Sequence, residues 1–348
     1  METTQRTIQT AAGPITLFTI TNCTGASVVL STAGAGIVSV NVPDRNGVMA
    51  DVTAGYRDVA DYIGDGPCCG KIVGRYGNRI ARGHLEIDGM AYRLPVNNGP
   101  NCLHGGPEGL HNRIWKGETA GDNTVVFTIV DPDGHMGFPG NLTVRVAYTW
   151  NDANELEINI RANTDKPTAL NLTNHAYWNL AGHNRGSALG HLLRLNASRW
   201  LPTDSDLVPT GVLEPVSGTP MDFTDPKALG RDIRADFAAL RYGKGYDNCW
   251  AVDGYDGSLR QVAELFDPVS GRVLEILSTQ PGVQVYTGNW LAGSPTGKEG
   301  YAYGDYDAVA IECQHFPDSV HQGHFPDTIL RPGQEFEEVI RFVFGLRP

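Results

Sequence analysis

The chain of 348 residues is long enough to bury a sizeable core, and 41 % of its residues are hydrophobic. Its formal net charge is −12 and its Lys and Arg residues form no cluster, which argues against nucleic acid or an anionic membrane surface as a partner. No window approaches the ~18 continuous apolar residues of a membrane-spanning helix, and the N-terminal residues lack a secretory-signal pattern, so we expect a cytoplasmic protein.

Strand patterns run through the whole chain. In chain order, strands are predicted at residues 15–20, 36–42, 84–87, 92–94, 124–130, 142–150, 155–160, 272–279, 282–288, 308–314 and 335–345. The segments 84–87 and 92–94 flank Asp88-Gly89, which is typical of a hairpin turn. The segments 142–150 and 155–160 alternate apolar and polar residues on either side of the turn-like NDAN, which predicts a second hairpin.

Helical patterns are rare, and the best one is the short segment RDIRADFAALRY at residues 231–242. Because strands do not alternate with long amphipathic helices, a doubly wound parallel sheet fits poorly. The sequence predicts an all-β protein, a large antiparallel β-sandwich with few short helices. Length alone suggests roughly two domains, but no linker, repeat or change of composition divides the chain, and we predict a single domain over residues 1–348.

A glycine-rich segment, KIVGRYGNRIARG at residues 71–83, carries Asn78 and Arg79. Between strands it can present both side chains to a cleft, where the fixed N–H donors of a guanidinium suit paired hydroxyl or carboxylate oxygens. A surface loop with structural arginines is the alternative. In NNGPNCLHGGPEGL, residues 97–110, His104 precedes a Gly-Gly pair on a tight turn that a ligand can approach. A lone histidine near glycines is more often structural, and His104 becomes a candidate through the other segments around it.

The segment NLTNHAYWNL, residues 171–180, places His175 among amides, hydroxyls and aromatic rings. Amides pair with hydroxyl groups while a ring covers an apolar C–H face, so this mixture suits sugar binding. Tyr177 and Trp178 could instead pack in the core, and His175 could be a hydrogen-bonded core histidine.

Glu312 ends the apolar run of residues 308–311, where a carboxylate is costly unless it is paired or functional. Burial would raise the pKa of Glu312 towards that of a useful base. Asp247 and Gln280 are further candidate partners for hydroxyl groups, although a turn-stabilising role fits Asp247 equally.

Cysteine and histidine spacing gives little support for a metal site. The six cysteines contain no CxxC pair, and the adjacent Cys68 and Cys69 suit neither a disulfide framework nor zinc, so we expect free thiols. The histidines at positions 315, 321 and 324 follow Glu312 with spacings that a metal could use, but proline and glycine interrupt the segment. We predict neither a metal nor a cofactor.

In this order, the segments resemble the aldose 1-epimerase, or galactose mutarotase, family. The resemblance runs through GNRIARG (77–83), NCLHGG (101–106), DPDGHMGFPG (131–140), LTNHAYWNL (172–180), GYDN (245–248), TQPGVQVYTGNW (279–290) and ECQHFPDSVHQGHFP (312–326). It implies a β-supersandwich that binds a monosaccharide in an open cleft, as a monomer or homodimer. It also implies a catalytic acid, His175, and a catalytic base, Glu312. The residues implied to bind and orient the sugar are Asn78, Arg79, His104, Asp247 and Gln280.

The implied reaction is ring opening and reclosure. Glu312 takes the proton of the anomeric hydroxyl while His175 protonates the ring oxygen, and rotation about C1–C2 precedes closure to the other anomer. Because an unperturbed histidine has a pKa of ~6.5, we expect a neighbouring carboxylate to hold His175 protonated near neutral pH.

Some positions depart from the family pattern. Gly77 replaces a common alanine, His135 lies where an acidic residue is frequent, His315 stands where asparagine is usual, and Asn248 where histidine is frequent. His315 and Asn248 are candidates for lining the cleft and changing the preferred sugar.

Three other interpretations stay open. The chain could be a sugar sensor on the same scaffold, although a pure binder needs no acid/base pair. It could act on a modified sugar such as a hexose phosphate, but no basic cluster supports that. A glycoside hydrolase needs two carboxylates, and Asp247 is the only candidate for the second.

Overall fold

The computed structural model describes residues 1–347, and β-strands form its framework as predicted. Within these residues, strands that form ladders pair only antiparallel, in sheets of nine, six and five strands and in four short ribbons. The prediction of an all-β antiparallel sandwich is confirmed.

Three large sheets contain most of the strands. In spatial order, the nine-stranded sheet contains Lys116–Thr119, Thr124–Asp131, Leu142–Trp150, Glu155–Thr164, Phe336–Leu346, Arg272–Ser278, Arg260–Phe266, Leu192–Leu195 and Lys227–Ala228. The six-stranded sheet contains, again in spatial order, Tyr177–Trp178, Val309–Gln314, Gly282–Tyr286, Asp247–Ala251, Arg199–Trp200 and Glu214–Pro215. The five-stranded sheet follows chain order, with Glu2–Thr10, Gly13–Thr21, Ser27–Ser31, Gly36–Pro43 and Met49–Asp51.

The remaining elements are short. The ribbons pair Ile72–Val73 with Thr173–Asn174, Arg79–Ile80 with Cys102–Leu103, His84–Ile87 with Met90–Arg93, and Thr168–Ala169 with Ile329–Leu330. One α-helix, Ala238–Gly243, occurs in residues 1–347. The 3₁₀ turns are Val59–Tyr62, Ala81–Gly83, Leu110–Asn112, His135–Gly137, Ala188–Gly190, Lys298–Gly300 and Ser319–His321. None of the helices in the described part of the chain has the length and apolar character to cross a membrane.

The nine- and six-stranded sheets pack face to face around one apolar cluster. Side chains alternate between the two faces of a strand, so opposed pairs such as Val285 and Ile311 share a face. Both belong to this cluster, as does Trp178, whose ring centroid lies 4.9 Å from that of Phe342 in the nine-stranded sheet. Trp178 is therefore a core residue, and the opposite face of the six-stranded sheet is free to carry polar groups.

The predicted helix over residues 231–242 is wrong for most of its length, because only Ala238–Gly243 is helical. The preceding residues form turns in which Ala235 N–H bonds the carbonyl of Asp232. The Asp232 carboxylate itself accepts a hydrogen bond from the buried Lys227. These local partners compete with a first helical turn, so the helix begins later than the sequence pattern suggests.

Candidate active site

A cavity of about 590 Å³ lies over the outer face of the six-stranded sheet. Residues 66–67, 98–99, 103–104 and 205–207 form much of the rest of its wall. The structure brings together at this cavity six of the seven predicted site residues: Asn78, Arg79, His104, His175, Asp247 and Glu312. Gln280 is the exception.

Strand register positions the acidic side of the cavity. Glu312 lies directly opposite Gln284 on the neighbouring strand, and Asp247 lies opposite Tyr286. Because the side chains on one strand alternate, these four share the face that turns away from the core. Gln284 Nε2 donates a hydrogen bond of 2.7 Å to Asp247 Oδ1. This bond leaves Asp247 Oδ2 facing Arg79.

His175 is held by backbone hydrogen bonds on both sides. Its N–H donates to the carbonyl of Lys71 at 2.8 Å, and its carbonyl accepts from the N–H of Gly70 at 2.9 Å. Its ring lies 4.9 Å from the ring of Tyr177 between centroids. Its Nε2 is 3.5 Å from Oε1 of Glu312, and both residues are at least nine-tenths buried. This geometry places an imidazole and a carboxyl group side by side at the cavity wall.

Burial sets the protonation of this pair. It lowers the pKa of His175 to about 4, against a smaller opposing effect of the backbone and a further lowering by Lys71. Burial also raises the pKa of Glu312 well above its ordinary value, and the charge of Asp247 adds to the increase. The expectation that a neighbouring carboxylate holds His175 protonated is therefore wrong, because the desolvation of the buried cation is the largest effect on its pKa.

Asn78 and His104 hold each other in place. The N–H of Asn78 donates to His104 Nδ1 at 3.1 Å, and the N–H of His104 donates to the Asn78 carbonyl at 3.0 Å. Burial, followed by the charge of His175, lowers the pKa of His104 well below its ordinary value, so its ring is neutral. Since Nδ1 accepts a hydrogen bond, Nε2 carries the proton. His104 is thus a hydrogen-bond donor at the cavity.

Arg79 is the cation of the cavity wall. Its Nε donates to Asn98 Oδ1 at 3.1 Å and its Nη1 to Asn78 Oδ1 at 3.4 Å. Its Nη2 lies 3.8 Å from Asp247 Oδ2. The guanidinium is therefore fixed mainly by neutral amides, which leaves N–H donors for hydroxyl groups of a ligand.

The prediction that Gln280 borders the cavity is wrong. Gln280 is fully buried; its Oε1 accepts a hydrogen bond of 2.7 Å from His315 Nδ1, and its Nε2 donates to the carbonyl of Leu172 at 3.3 Å. Gln284, four residues later in the same motif, lies beside Asp247 instead. The sequence contains both glutamines, but only the strand pairing shows that Gln284 is the one that lies beside Glu312 and Asp247.

The residues proposed to vary specificity also lie elsewhere. His315 borders a separate groove, and Asn248 borders a small void beneath the cavity. His135 Nδ1 lies 2.7 Å from Asp131 Oδ1. The metal alternative finds no support in residues 1–347, because no group of three or more suitable ligands is assembled there.

Sequence reasoning missed several aromatic residues at the rim. Tyr242, Tyr286 and Trp290 border the cavity, and 64 % of Trp290 is exposed. Lys244 Nζ lies 4.2 Å from the centroid of the Trp290 ring. The exposed position of a large aromatic residue beside a polar cavity suits stacking on a sugar face. Its place in the TQPGVQVYTGNW motif was the available signal.

Comparison with known proteins agrees with this geometry. The sequence model of the Aldose 1-epimerase family matches residues 16–343. The chain is 40 % identical over 313 residues to the galactose mutarotase of Bos taurus, covering 90 % of this chain and 89 % of the relative. It is 34 % identical over 334 residues to the aldose 1-epimerase of Escherichia coli (strain K12), covering 95 % of each.

Solved structures show the same fold. An aldose epimerase homologue from C. elegans superposes with a TM-score of 0.88 at 32 % identity, over 95 % of this chain and 99 % of that one. A galactose 1-epimerase from Lactobacillus acidophilus superposes with a TM-score of 0.87 at 24 % identity, over the full length of both chains. With its family match, its relatives and this fold, the chain belongs to the aldose 1-epimerase family of isomerases.

Proposed function

We propose that this protein interconverts the α and β anomers of free aldoses such as galactose or glucose. The observation that carries the proposal is the pair of His175 and Glu312, 3.5 Å apart at the wall of a cavity lined with hydroxyl-binding groups. The relatives that support it are named galactose mutarotase and aldose 1-epimerase. A role in carbohydrate metabolism follows from this activity.

Glu312 is the proposed base and His175 the proposed acid. Glu312 takes the proton of the anomeric hydroxyl, and His175 gives a proton to the ring oxygen as the C1–O5 bond breaks. Rotation about C1–C2 then exposes the other face of the aldehyde. For closure the roles reverse: His175 takes back the proton of the O5 hydroxyl, and Glu312 returns its proton to the carbonyl oxygen.

The proposed cycle passes through two protonation states of the pair, and ring opening starts from the state that burial disfavours. Before ring opening the pair is a carboxylate and an imidazolium, and after it the pair is a carboxylic acid and a neutral imidazole. Both states hold one proton, so the pair titrates as a unit. Burial favours the uncharged state, as the lowered pKa of His175 and the raised pKa of Glu312 show. The site therefore favours the protonation that accompanies the open-chain aldehyde.

The charges of the cavity support a neutral substrate. Arg79 is the one Lys or Arg side chain among the cavity-lining residues described in 1–347, whereas Asp206, Asp247 and Glu312 are acidic. A phosphorylated sugar would meet three carboxyl groups and one guanidinium. Arg79, His104 and Asn78 supply donors and acceptors for hydroxyl groups, and Trp290 offers an apolar face.

Other properties stay predictions from the sequence. These are a single domain over residues 1–348, a cytoplasmic location, a monomeric or homodimeric state, and the sugar-binding roles of Asn78, Arg79, His104 and Asp247.

Polarimetry tests the proposal directly. Freshly dissolved α-D-galactose, α-D-glucose, α-D-xylose and L-arabinose are followed with wild type and with His175→Asn, which removes the acid. We expect wild type alone to speed the approach to anomeric equilibrium, and the ranking of the sugars gives the preference. Sugar binding without any acceleration by wild type would refute mutarotation and favour the sensor.

A further inference from the structure

The segment NNGPN at residues 97–101 forms a tight hairpin turn at the cavity rim. The N–H of Asn98 donates to the carbonyl of Asn101 at 3.1 Å, and the N–H of Asn101 donates to the carbonyl of Asn98 at 2.9 Å. Gly99 and Pro100 lie between them. Gly99 has a φ of 54°, which favours glycine, and the ring of Pro100 fixes its own φ. The turn is therefore stiff.

Hydrogen bonds attach this turn to the strands of the site. Asn97 Oδ1 accepts from the N–H of Leu103 at 2.7 Å, and Asn97 Nδ2 donates to the Leu103 carbonyl at 3.1 Å. Leu103 is the antiparallel partner of Arg79. Asn101 Oδ1 accepts from the N–H of Arg82 at 3.0 Å. The turn is thus fixed on both sides relative to the backbone of Arg79.

The side chain that this turn presents is Asn98, and its Oδ1 accepts the Nε–H of Arg79. At 3.1 Å this is the shortest of the polar contacts that hold the guanidinium, against 3.4 Å to Asn78 and 3.8 Å to Asp247. Nε joins the planar guanidinium group to the aliphatic part of the side chain, so a hydrogen bond at Nε fixes the direction in which both terminal nitrogens point.

We propose that Asn98 is a positioning residue for Arg79 in the proposed reaction, on which this inference rests. Its amide oxygen holds the guanidinium away from a closer ion pair with Asp247. Without it, attraction to the carboxylate would draw the terminal nitrogens towards Asp247, and donors meant for sugar hydroxyl groups would be occupied. Asn98 acts through Arg79 and takes no part in proton transfer.

The expected effect is moderate. Removal of one hydrogen bond of this kind lowers kcat/KM by about 2- to 10-fold, through both a higher KM and a lower kcat. Asn98→Asp keeps an oxygen acceptor and should restore most of the loss caused by Asn98→Ala. Thermal unfolding of both variants controls for the integrity of the turn.

A double-mutant cycle with Arg79→Met tests whether Asn98 acts through Arg79. Polarimetry should show that Asn98→Ala lowers kcat/KM in the wild-type background and has less than about a twofold effect when Arg79 is already methionine. An equal loss in both backgrounds would overturn the proposal, because Asn98 would then act on the sugar or on the fold.

A spectroscopic measurement is independent of turnover. In protein labelled with ¹⁵N-arginine, the Nε–H signal of Arg79 is assigned by its absence in Arg79→Met. We expect Asn98→Ala to shift this signal and speed its exchange with water, and Asn98→Asp to preserve its protection. An unchanged signal in Asn98→Ala would refute the contact. Absence of mutarotation in wild type would refute the proposed function instead, and the Nε–H signal would still decide the contact.

Discussion

Replacement of Glu312 by glutamine separates the chemistry of the site from its fold. Gln has nearly the shape of Glu and keeps a carbonyl oxygen, so the strand Val309–Gln314 and its pairing with Gln284 are retained. Only 2 % of Glu312 is exposed. The substitution removes the one property that the proposed mechanism needs, which is the ability to take and return a proton.

The two expected effects have opposite signs. Loss of a general base lowers the rate by about 10²–10⁴-fold, which is about 3–5 kcal/mol of transition-state stabilisation. Stability should not fall. Because burial and the charge of Asp247 raise the pKa of Glu312, its destabilising effect grows as pH rises from the ordinary glutamate value towards the raised one. A neutral glutamine avoids this penalty, so the variant should be as stable as wild type or more so.

Glu338 provides a matched control. It is a second buried glutamate with a raised pKa, but it borders a different groove and accepts a hydrogen bond from Thr279. We would measure polarimetric rates and thermal unfolding at pH 8 for Glu312→Gln and Glu338→Gln. Activity of Glu312→Gln within about tenfold of wild type would refute its role as the base. A comparable loss of activity in Glu338→Gln would show that any buried charge change disturbs the site.

Three further predictions concern pH and the two glutamines. The value of kcat/KM should fall on the acid side of its pH profile near pH 4, well below the ordinary histidine pKa of 6.5. Below pH 4 both His175 and Glu312 are protonated, and no base remains. A fall near pH 6.5 would contradict the neutral pair. Gln284→Ala should lower kcat/KM, because it removes the hydrogen-bond donor to Asp247. Gln280→Ala should instead lower the free energy of unfolding by about 1–3 kcal/mol and leave kcat/KM unchanged, because Gln280 bonds buried groups. The reverse pattern would restore Gln280 as the sugar-binding glutamine. Burial raises the pKa of Glu338 from 4.5 to about 7, so the destabilising effect of this residue grows as pH rises through that window. Glu338→Gln should therefore stabilise the protein by up to about 3 kcal/mol at pH 8 and hardly at all near pH 4. Denaturant titrations at both pH values would show the difference.

Strand alternation made much of the fold predictable from the sequence. The hairpin of Leu142–Trp150 and Glu155–Thr164 has one buried face, so its pattern is regular. The strand Glu2–Thr10 was not predicted, because it lies at the edge of its sheet and has no fully buried residue to create a pattern. The order of the strands in the six-stranded sheet, whose outer face forms the floor of the cavity, has no local signature.

The site was predictable to the extent that each residue stands in a recognisable motif. The residue types alone left His104, His175 and Asp247 open to structural roles, and the family resemblance supplied the proposed functions. Gln280 was chosen wrongly over Gln284: Gln280 precedes the strand Gly282–Tyr286 and is fully buried, whereas Gln284 lies within that strand, in register with Glu312. That register depends on strand pairing between segments distant in the sequence.

The central strand explains how a destabilising group can be kept at the site. Along Val309–Gln314, Ile311 and Cys313 belong to the core cluster, whereas Glu312 between them faces the cavity. The apolar neighbours stabilise the strand by burial, so the strand holds its place although Glu312 is desolvated. The same desolvation raises the pKa of Glu312 and so favours its neutral, protonated form. In the proposed reaction this form arises when Glu312 takes the proton of the anomeric hydroxyl, so the buried position that costs stability also favours the protonation state that accompanies ring opening.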